Sequence, residues 1–285
     1  MIEKSSFIRA TRIGGHAWQY LMTLSCKGQV VSSFSGGINL LFEGGEAFVS
    51  VQTHAIPLHP WAIEIAGEAF LFAEGTPVSA EEGDLLVGDT RIVLSSVQIE
   101  NLSLPRFSAE EAAIARRNFP ILAHFVEEAQ KTLPPDPFQP QIDAILRHWH
   151  ESGEVDILLD LIGLGAGSTP SGDDVLVGIL AGLYVIEGGD LESEEVLPHL
   201  RTVVCSNVRG RTPLPSAQML LVACEQSFGE PILDLLTDLT AVDTPGDKLL
   251  QGAERVAQLG HQSGLAILLG LTKSLRVHVM LYLPC

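Results

Sequence analysis

Hydrophobic and polar residues follow two different patterns along the 285 residues of this chain. Between Trp18 and about Leu104, short runs of β-branched and aromatic residues are separated by glycine-containing turns, a pattern typical of antiparallel strands. The runs predict strands at residues 29–34, 39–42, 47–51, 61–65, 69–72, 85–87 and 91–94. We expect these strands to form a small antiparallel barrel or a small sandwich.

Beyond Pro105 the apolar residues recur at helical spacing. Ser108 and Glu111 can form a capping box before a helix at 112–131, in which Pro120 must kink the helix or start a second one. Further helices are predicted at 141–150, 155–161, 175–186, 194–205, 216–227, 232–239, 248–259 and 264–271, and residues 276–283 could be a strand or a disordered tail. The sequence therefore predicts an α+β protein, with a β-rich domain at 1–105 followed by a mainly helical domain at 106–285.

Composition and charge restrict the possible partners. The net charge is −18, from 17 basic and 35 acidic residues, and no Lys/Arg cluster interrupts it. Nucleic acids and anionic membranes are therefore poor partners, and an anionic ligand must be attracted by local groups. Only 18% of the residues are charged, below the roughly 25% of typical soluble domains. We therefore expect another protein subunit, or a second copy of this chain, to cover some of the apolar surface.

The sequence also indicates the cellular compartment of the protein. Four cysteines are scattered without a Cys-x-x-Cys spacing, and the first residues contain no apolar signal core. The longest apolar stretch, 175–186, is too short to span a bilayer. These features predict a cytoplasmic protein.

The densest signal for function is the glycine-rich segment 163–174, which leads into an apolar helix. Glycines let backbone amides approach a ligand, and a helix N-terminus carries roughly half a positive charge. The segment therefore predicts an anion-binding loop, with candidate ligand-binding residues Gly165, Gly167, Thr169, Ser171, Gly172, Asp173 and Asp174. In the alternative interpretation, Ser171 or Asp173 only caps the helix and the glycines only turn the chain.

The two neighbouring carboxylates complicate anion binding. Asp173 and Asp174 occupy the positive end of the helix and would repel a bare anion. A Mg²⁺ ion held by Asp173 or Asp174 could bridge to a phosphate and remove this conflict. The segment is not a P-loop, because no lysine follows its glycines.

Two further loops precede helices. In the first, Arg211 and Thr212 stand shortly before Ser216, so a guanidinium and hydroxyls could hold a carboxylate or phosphate. Arg211 could equally pair with one of the many acidic residues. In the second, His261 could act as a general base, a ligand donor or a polar cap, just before Ser263 and Gly264.

The first and third loops share a frame. Residues 171–178 and 263–270 both read Ser-Gly-x-x-(Val/Ile)-Leu-x-Gly. This similarity suggests that two Ser-Gly helix starts face each other across one site.

At these three loops the chain resembles a bacterial family, long described as a domain of unknown function, that includes a subunit of oxamate carbamoyltransferase of anaerobic allantoin degradation. The resemblance rests on 163–174, on Arg211-Thr212 with Ser216-Ala217, on 260–264, and on residues 35–41 and 44–45 of the β-rich part. The chain differs at Ala166, where Pro is common, at Ser168, where Leu is expected, and at Gln262, where Thr is expected.

The resemblance implies a part in carbamoyl transfer, with oxamate and carbamoyl phosphate giving oxalurate or the reverse, as one of several subunits. Loop amides and Arg211 would then stabilise a carbamoyl or phosphate oxyanion. Three functions remain open: an enzyme subunit that binds a small anionic metabolite or phosphate compound and uses Arg211 and His261, a non-catalytic partner subunit, and a Mg-nucleotide-binding protein. The functional interpretation requires the segments ending at Asp174, Ser216 and Gly264 to meet around one cavity.

Overall fold

The fold is taken from a computed structural model. It describes residues 7–23, 26–44, 47–67, 71–81, 83–132, 134, 136–187 and 196–282. The chain divides into two compact units. The first, here the barrel unit, contains Met1–Leu102 and Phe228–Glu230, and the second, here the helical unit, contains Ser103–Ser227 and Pro231–Cys285.

The barrel unit is a closed barrel of eight strands. They are β1 Phe7–Gly14, β2 Cys26–Phe34, β3 Gly37–Phe42, β4 Phe48–Thr53, β5 Ala62–Ile65, β6 Pro77–Glu81, β7 Asp84–Val87 and β8 Thr90–Val93. Their order is β5-β4-β3-β2-β6-β7-β8-β1, and β1 pairs back onto β5. A further strand, β9 Gln98–Glu100, pairs with β1. The pairing of β1 with β5 makes this unit a barrel rather than a sandwich.

The barrel core is formed by alternating residues of the strands, because successive side chains of a strand point to opposite faces. In β3, Ile38, Leu40 and Phe42 are buried, and in β4, Val49 and Val51 are buried. The alternating pattern in the sequence thus identifies the inward-facing residues of these two strands.

The barrel differs from the predicted one in three respects. The pairs β4–β5, β1–β8 and β1–β9 are parallel, so the prediction of a purely antiparallel sheet is wrong there. Strands β1, β6 and β9 and helix α1 (Gly15–Thr23) were not predicted. The predicted β pattern begins only at Trp18, after β1 and within α1. In the run predicted at 69–72, residues 69 and 70 lie outside the described residues, and Leu71 and Phe72 are not in a strand.

The rest of the described chain is helical. The helices are α2 Ala109–Thr132, α3 Gln139–Ser152, a 3-10 helix at Val155–Leu161, α4 Ser171–Glu187, α5 Val196–Asn207, α6 Leu214–Cys224, α7 Glu230–Thr240, α8 Gly246–Ala257 and α9 Ser263–Tyr282. The capping box before α2 is confirmed, since the Ser108 amide donates to Glu111 Oε2 at 2.7 Å and the Glu111 amide donates to Ser108 Oγ at 3.3 Å. No helix in these described segments is both long and apolar enough to cross a bilayer.

Two helices differ from the prediction. Helix α2 continues through Pro120, so this proline starts no second helix. Helix α9 extends to Tyr282, so the strand or disordered tail predicted from residue 276 is wrong. No glycine or proline follows Gly270 until Pro284, and nothing in the sequence therefore stops a helix that has already formed. In the helix predicted at 194–205, residues 194 and 195 lie outside the described residues.

Helices α4 and α9 touch each other through two glycines. A Cβ atom on Gly178 would collide with the carbonyl oxygen of Ile267, and a Cβ atom on Gly270 would collide with the carbonyl oxygen of Val175. These four residues occupy equivalent positions of the shared Ser-Gly frame. The shared frame therefore corresponds to a symmetric contact. In this contact the backbone of each helix packs against a glycine of the other helix.

Candidate functional site

The N-termini of α4 and α9 lie side by side in the helical unit. Ser263, the first residue of α9, donates its hydroxyl to Asp174 in the first turn of α4. Farther along, a Cβ atom on Gly182 of α4 would collide with the hydroxyl of Ser274 in α9. Because these contacts advance in the same direction along both helices, the helices run parallel. The two helices therefore begin at the same place, and each N-terminus carries roughly half a positive charge.

Asp173 connects the first two loops. Its Oδ1 accepts the amide of Gly163 at 2.8 Å, and its Oδ2 accepts the hydroxyls of Ser216, at 2.7 Å, and Thr212. Only 1% of Asp173 is exposed. Gly163 adopts φ 78°, and a Cβ atom there would collide with the carbonyl oxygen of Arg211. Three protein donors thus compensate the buried Asp173 carboxylate and hold the two loops together.

Asp174 has the opposite surroundings. It is 9% exposed, and its Oδ2 has no hydrogen-bond partner among the described residues. Burial raises the pKa of the Asp174 carboxyl to about 7, the Asp173 carboxylate adds to the increase, and the hydroxyl of Ser263 opposes it. A carboxyl group that exchanges its proton near neutral pH therefore lies between the two helix N-termini.

Two hydroxyls link Asp174 to the glycine-rich loop. Thr169 Oγ1 and Ser263 Oγ are 3.2 Å apart, and either hydroxyl can be the donor. Since Ser263 also bonds Asp174, these contacts join the first loop to the third.

The backbone amides of the glycine-rich loop fall into two groups. The amide of Gly172 donates to Leu164 at 2.8 Å, and those of Asp173 and Asp174 donate to Pro170 at 3.0 and 3.2 Å. The amides of residues 165–169 have no protein acceptor within the part of the chain that the structure describes. Residues 166–168 are exposed. An anion could therefore be held by the amides of the loop, whereas the first amides of α4 are already used.

The two predicted catalytic residues lie at the surface. Arg211 is exposed, and its Nη2 donates to the carbonyl of Leu159 at 2.8 Å, which fixes the guanidinium against the 3-10 helix. His261 is exposed and makes no hydrogen bond or ion pair with the residues described here. Close packing explains the glycine at position 264, since a Cβ atom there would collide with the carbonyl oxygen of Val256. The catalytic roles of Arg211 and His261 remain predictions.

A cavity of about 230 Å³ adjoins the start of α4. Ser171 and Gln262 line it, whereas the loop glycines, Arg211 and His261 do not. Its polar lining also includes Asp136, whose Oδ1 accepts the amide of Phe138 at 2.8 Å and whose Oδ2 accepts the hydroxyl of Ser171. Sequence reasoning missed Asp136, because it stands in a proline-rich loop with no ligand-binding motif.

A second set of residues missed by the sequence lies on α3. The residues Gln139, Asp143, Arg147 and Glu151 are spaced four apart and line this cavity or the one next to it. Their spacing was visible in the sequence, but it is also the pattern of an ordinary solvent-exposed helix face. In the structure Gln139 and Asp143 are half-buried, whereas Arg147 and Glu151 are exposed.

The carboxylates offer few positions for a metal ion. Among the described residues, no group of three or more His, Cys, Asp or Glu side chains could hold a metal. Both oxygens of Asp173 already accept protein hydrogen bonds, which leaves Oδ2 of Asp174 as the free oxygen of the pair. The Mg²⁺ ion proposed for Asp173 and Asp174 remains a prediction.

Comparison with known proteins finds two family models along the chain. Residues 9–99 match the AllH family N-terminal domain, and residues 161–275 match the oxamate carbamoyltransferase subunit AllH. The second match contains all three loops. Neither the comparison with curated proteins nor that with solved structures found a match.

Proposed function

Because this chain belongs to the AllH family, we propose that it is a subunit of an oxamate carbamoyltransferase-type complex whose chemistry takes place beside the paired N-termini of α4 and α9. The observation that carries the proposal is the buried Oδ2 of Asp174, which lacks a protein partner between these two helix ends. A buried carboxylate oxygen without a hydrogen-bond partner is costly for folding, and such groups are concentrated at functional sites.

The chemistry of carbamoyl transfer needs a group of this kind. The amide nitrogen of the acceptor attacks the carbonyl carbon of carbamoyl phosphate, a C–N bond forms, and the C–O bond to the phosphate breaks. The attacking nitrogen loses a proton, which Asp174 takes up and then passes to the departing phosphate. A carboxylate with a pKa of about 7 suits this role near neutral pH. The hydroxyls of Ser263 and Thr169 give the proton a path between the loop and Asp174.

The glycine-rich loop would hold the phosphate-bearing donor. Its amides at residues 165–169 have no protein acceptor in the described segments, residues 166–168 are exposed, and the nearby helix N-termini favour negative charge. Arg211 retains guanidinium N–H groups beyond the one that binds Leu159. In a chain with a net charge of −18, such local groups are needed to attract an anion.

The first prediction is that Asp174→Asn lowers the rate of carbamoyl transfer by the assembled complex roughly 100-fold or more, since this is the usual contribution of a general base. The amide has the same shape as the carboxylate but cannot accept the proton. The measurement is the initial rate of transfer from carbamoyl phosphate to oxamate, with assembly verified by size-exclusion chromatography.

Asp160→Asn is the matched control, because Asp160 is an exposed carboxylate just before the same loop. It should leave the rate unchanged. A fully active Asp174→Asn complex would mean that Asp174 is not the general base, and the proposal would be wrong.

A further inference from the structure

Two cysteines at the ends of α5 and α6 touch each other in the helical unit. Cys205 lies in the last turn of α5, and Cys224 is the last residue of α6. The two helices pack against each other, and the side chains of Cys205 and Cys224 are hydrogen-bonded. Both are free cysteines. Local sequence patterns do not reveal this pair, because the two cysteines stand in different helices.

The two thiols differ in their access to solvent. Cys205 is exposed, whereas only 1% of Cys224 is exposed. A reagent in solution can therefore reach the sulfur of Cys205 but not that of Cys224. Burial raises the pKa of the Cys224 thiol, the neighbouring Cys205 adds to the increase, and the Arg201 guanidinium opposes it. Because Cys224 keeps its proton, Cys205 is the thiol available for a first reaction.

A buried tyrosine of α4 anchors both helices beside the cysteine pair. The hydroxyl of Tyr184 donates to the backbone carbonyl of Cys224 at 2.7 Å. Arg201 stands one turn before Cys205 on α5, and its guanidinium carbon lies 5.9 Å from the centroid of the Tyr184 ring. A positive charge near a thiol favours the thiolate, which is the form that attacks disulfides. The surroundings therefore hold the two sulfurs together and supply a cation.

We propose that Cys205 and Cys224 form a reversible oxidation site that reacts with a small-molecule disulfide. The Cys205 thiolate attacks one sulfur of this disulfide, whose S–S bond breaks and releases one thiol. The Cys224 sulfur then attacks Cys205 in the mixed disulfide, so that the Cys205–Cys224 bond forms and the second small thiol leaves. The two cysteine protons go to the two released thiols. The protein thus loses two electrons, and the small disulfide gains them.

The new bond would enclose the second loop. Residues 206–223, between the two cysteines, contain Arg211 and also Thr212 and Ser216, whose hydroxyls donate to Asp173. A disulfide would tie the two ends of this segment together and restrict its movement. In a reducing compartment, disulfides of this kind are usually transient and regulatory. The oxidation site therefore lies at the base of one of the three loops, and its chemistry does not depend on the role of Asp174.

The test is peptide mapping of the full chain after incubation with an excess of glutathione disulfide over glutathione. Remaining thiols are blocked with N-ethylmaleimide before trypsin is added. Trypsin cuts after Arg209 and Arg211, so the two cysteines fall in separate peptides, 202–209 and 212–248. These two peptides should be recovered mainly as a linked pair that dithiothreitol separates. Recovery of both peptides with blocked thiols, or with glutathione on Cys205 and no linked pair, would overturn the inference.

Single variants test the order of the two reactions. Cys224→Ser removes the second thiol, so glutathione should remain on Cys205 as a mixed disulfide. Cys205→Ser removes the exposed thiol, so its Cys224 should react with glutathione disulfide at least about ten-fold more slowly than Cys205 does in Cys224→Ser. Equal rates in the two variants would contradict the assignment of Cys205 as the first thiol to react.

The other two cysteines supply the controls. Cys26 is buried in the barrel core, and Cys285 lies outside the described residues. Cys26→Ser and Cys285→Ser should each give the linked peptides in the same yield as the natural chain. Loss of the linked pair in either control would mean that another cysteine is needed for the reaction, and the assignment of the site to Cys205 and Cys224 would be wrong.

Discussion

Two adjacent residues of one type have opposite surroundings in this protein. Asp173 accepts three hydrogen bonds from protein donors, whereas one oxygen of the neighbouring Asp174 accepts none among the described residues. Both side chains are buried, so the difference lies in compensation and not in exposure. A compensated buried carboxylate stabilises the fold, and an uncompensated one destabilises it. We therefore propose a structural role for Asp173 and a chemical role for Asp174.

The second prediction concerns Asp173. Replacing it in Asp173→Ala leaves the Gly163 amide and the hydroxyls of Thr212 and Ser216 without their acceptor. The free energy of unfolding should fall by on the order of 3 kcal/mol, as expected for buried donors that lose their partner. Urea unfolding measures it, with Asp160→Ala as the surface control. A loss below about 1 kcal/mol would show that Asp173 does not hold the two loops together.

The third prediction concerns the pH dependence of stability. The folded-state pKa of Asp174 is raised from its usual 3.8 to about 7, so the folded protein binds this proton more tightly than the unfolded chain. Stability from this group is therefore complete below about pH 4 and is lost as the pH rises to about 7. Over this pH range the contribution of Asp174 to the free energy of unfolding changes by up to about 4 kcal/mol.

Other groups titrate in the same range, so the comparison is with Asp174→Asn, whose amide does not titrate. The variant should gain stability relative to the natural protein as the pH rises from 4 to 8. Urea unfolding at several pH values measures the difference, and a constant difference across this range would contradict the raised pKa.

At the scale of elements, the parallel pair of α4 and α9 brings the loops together. Its closest contacts use Gly178 and Gly270, at equivalent positions of the shared Ser-Gly frame. Backbone-to-backbone packing of this kind brings the helix axes close and places the two N-termini side by side. The helix pair is thus the structural basis of the candidate site.

The fourth prediction is that Gly178→Ala and Gly270→Ala destabilise the protein to a similar extent, each by about 3 kcal/mol or more, because each Cβ atom would collide with a backbone carbonyl that cannot move away alone. Gly246→Ala is the control, since its Cβ atom would meet only Ile121 Cδ1 at the ordinary distance of 3.5 Å. Thermal unfolding measures all three. Variants as stable as the control would mean that the two helices can move apart without loss of stability.

The elements differ in how far the sequence predicted them. The apolar run of α4 and the alternation in β3 and β4 are local patterns, and the structure contains these elements near the predicted positions. Closure of the barrel by β1 and β5 depends on a pairing across fifty residues or more, for which no local signal exists. Similarly, Asp174 was found because it stands in a dense motif, whereas Asp136 and Arg147 each line a cavity that forms only through tertiary packing.

At the scale of the whole molecule, the barrel followed by a mainly helical part agrees with the two family models that match the chain. The domain boundary near residue 105 and the cytoplasmic location stay predictions. The low charge content favours a chain that works within an assembly, and membership of a family of transferase subunits supports this interpretation. The helical unit carries every group that we propose for substrate binding and proton transfer.

The central claim is that Asp174 exchanges the proton in carbamoyl transfer. The most direct test is the pH dependence of kcat/KM for the assembled complex, which reports the pKa of the essential base in the free enzyme. We predict that kcat/KM rises with pH to a plateau, with a midpoint near pH 7, and that this rise is absent in the residual activity of Asp174→Asn. The same rise in both proteins would contradict the claim.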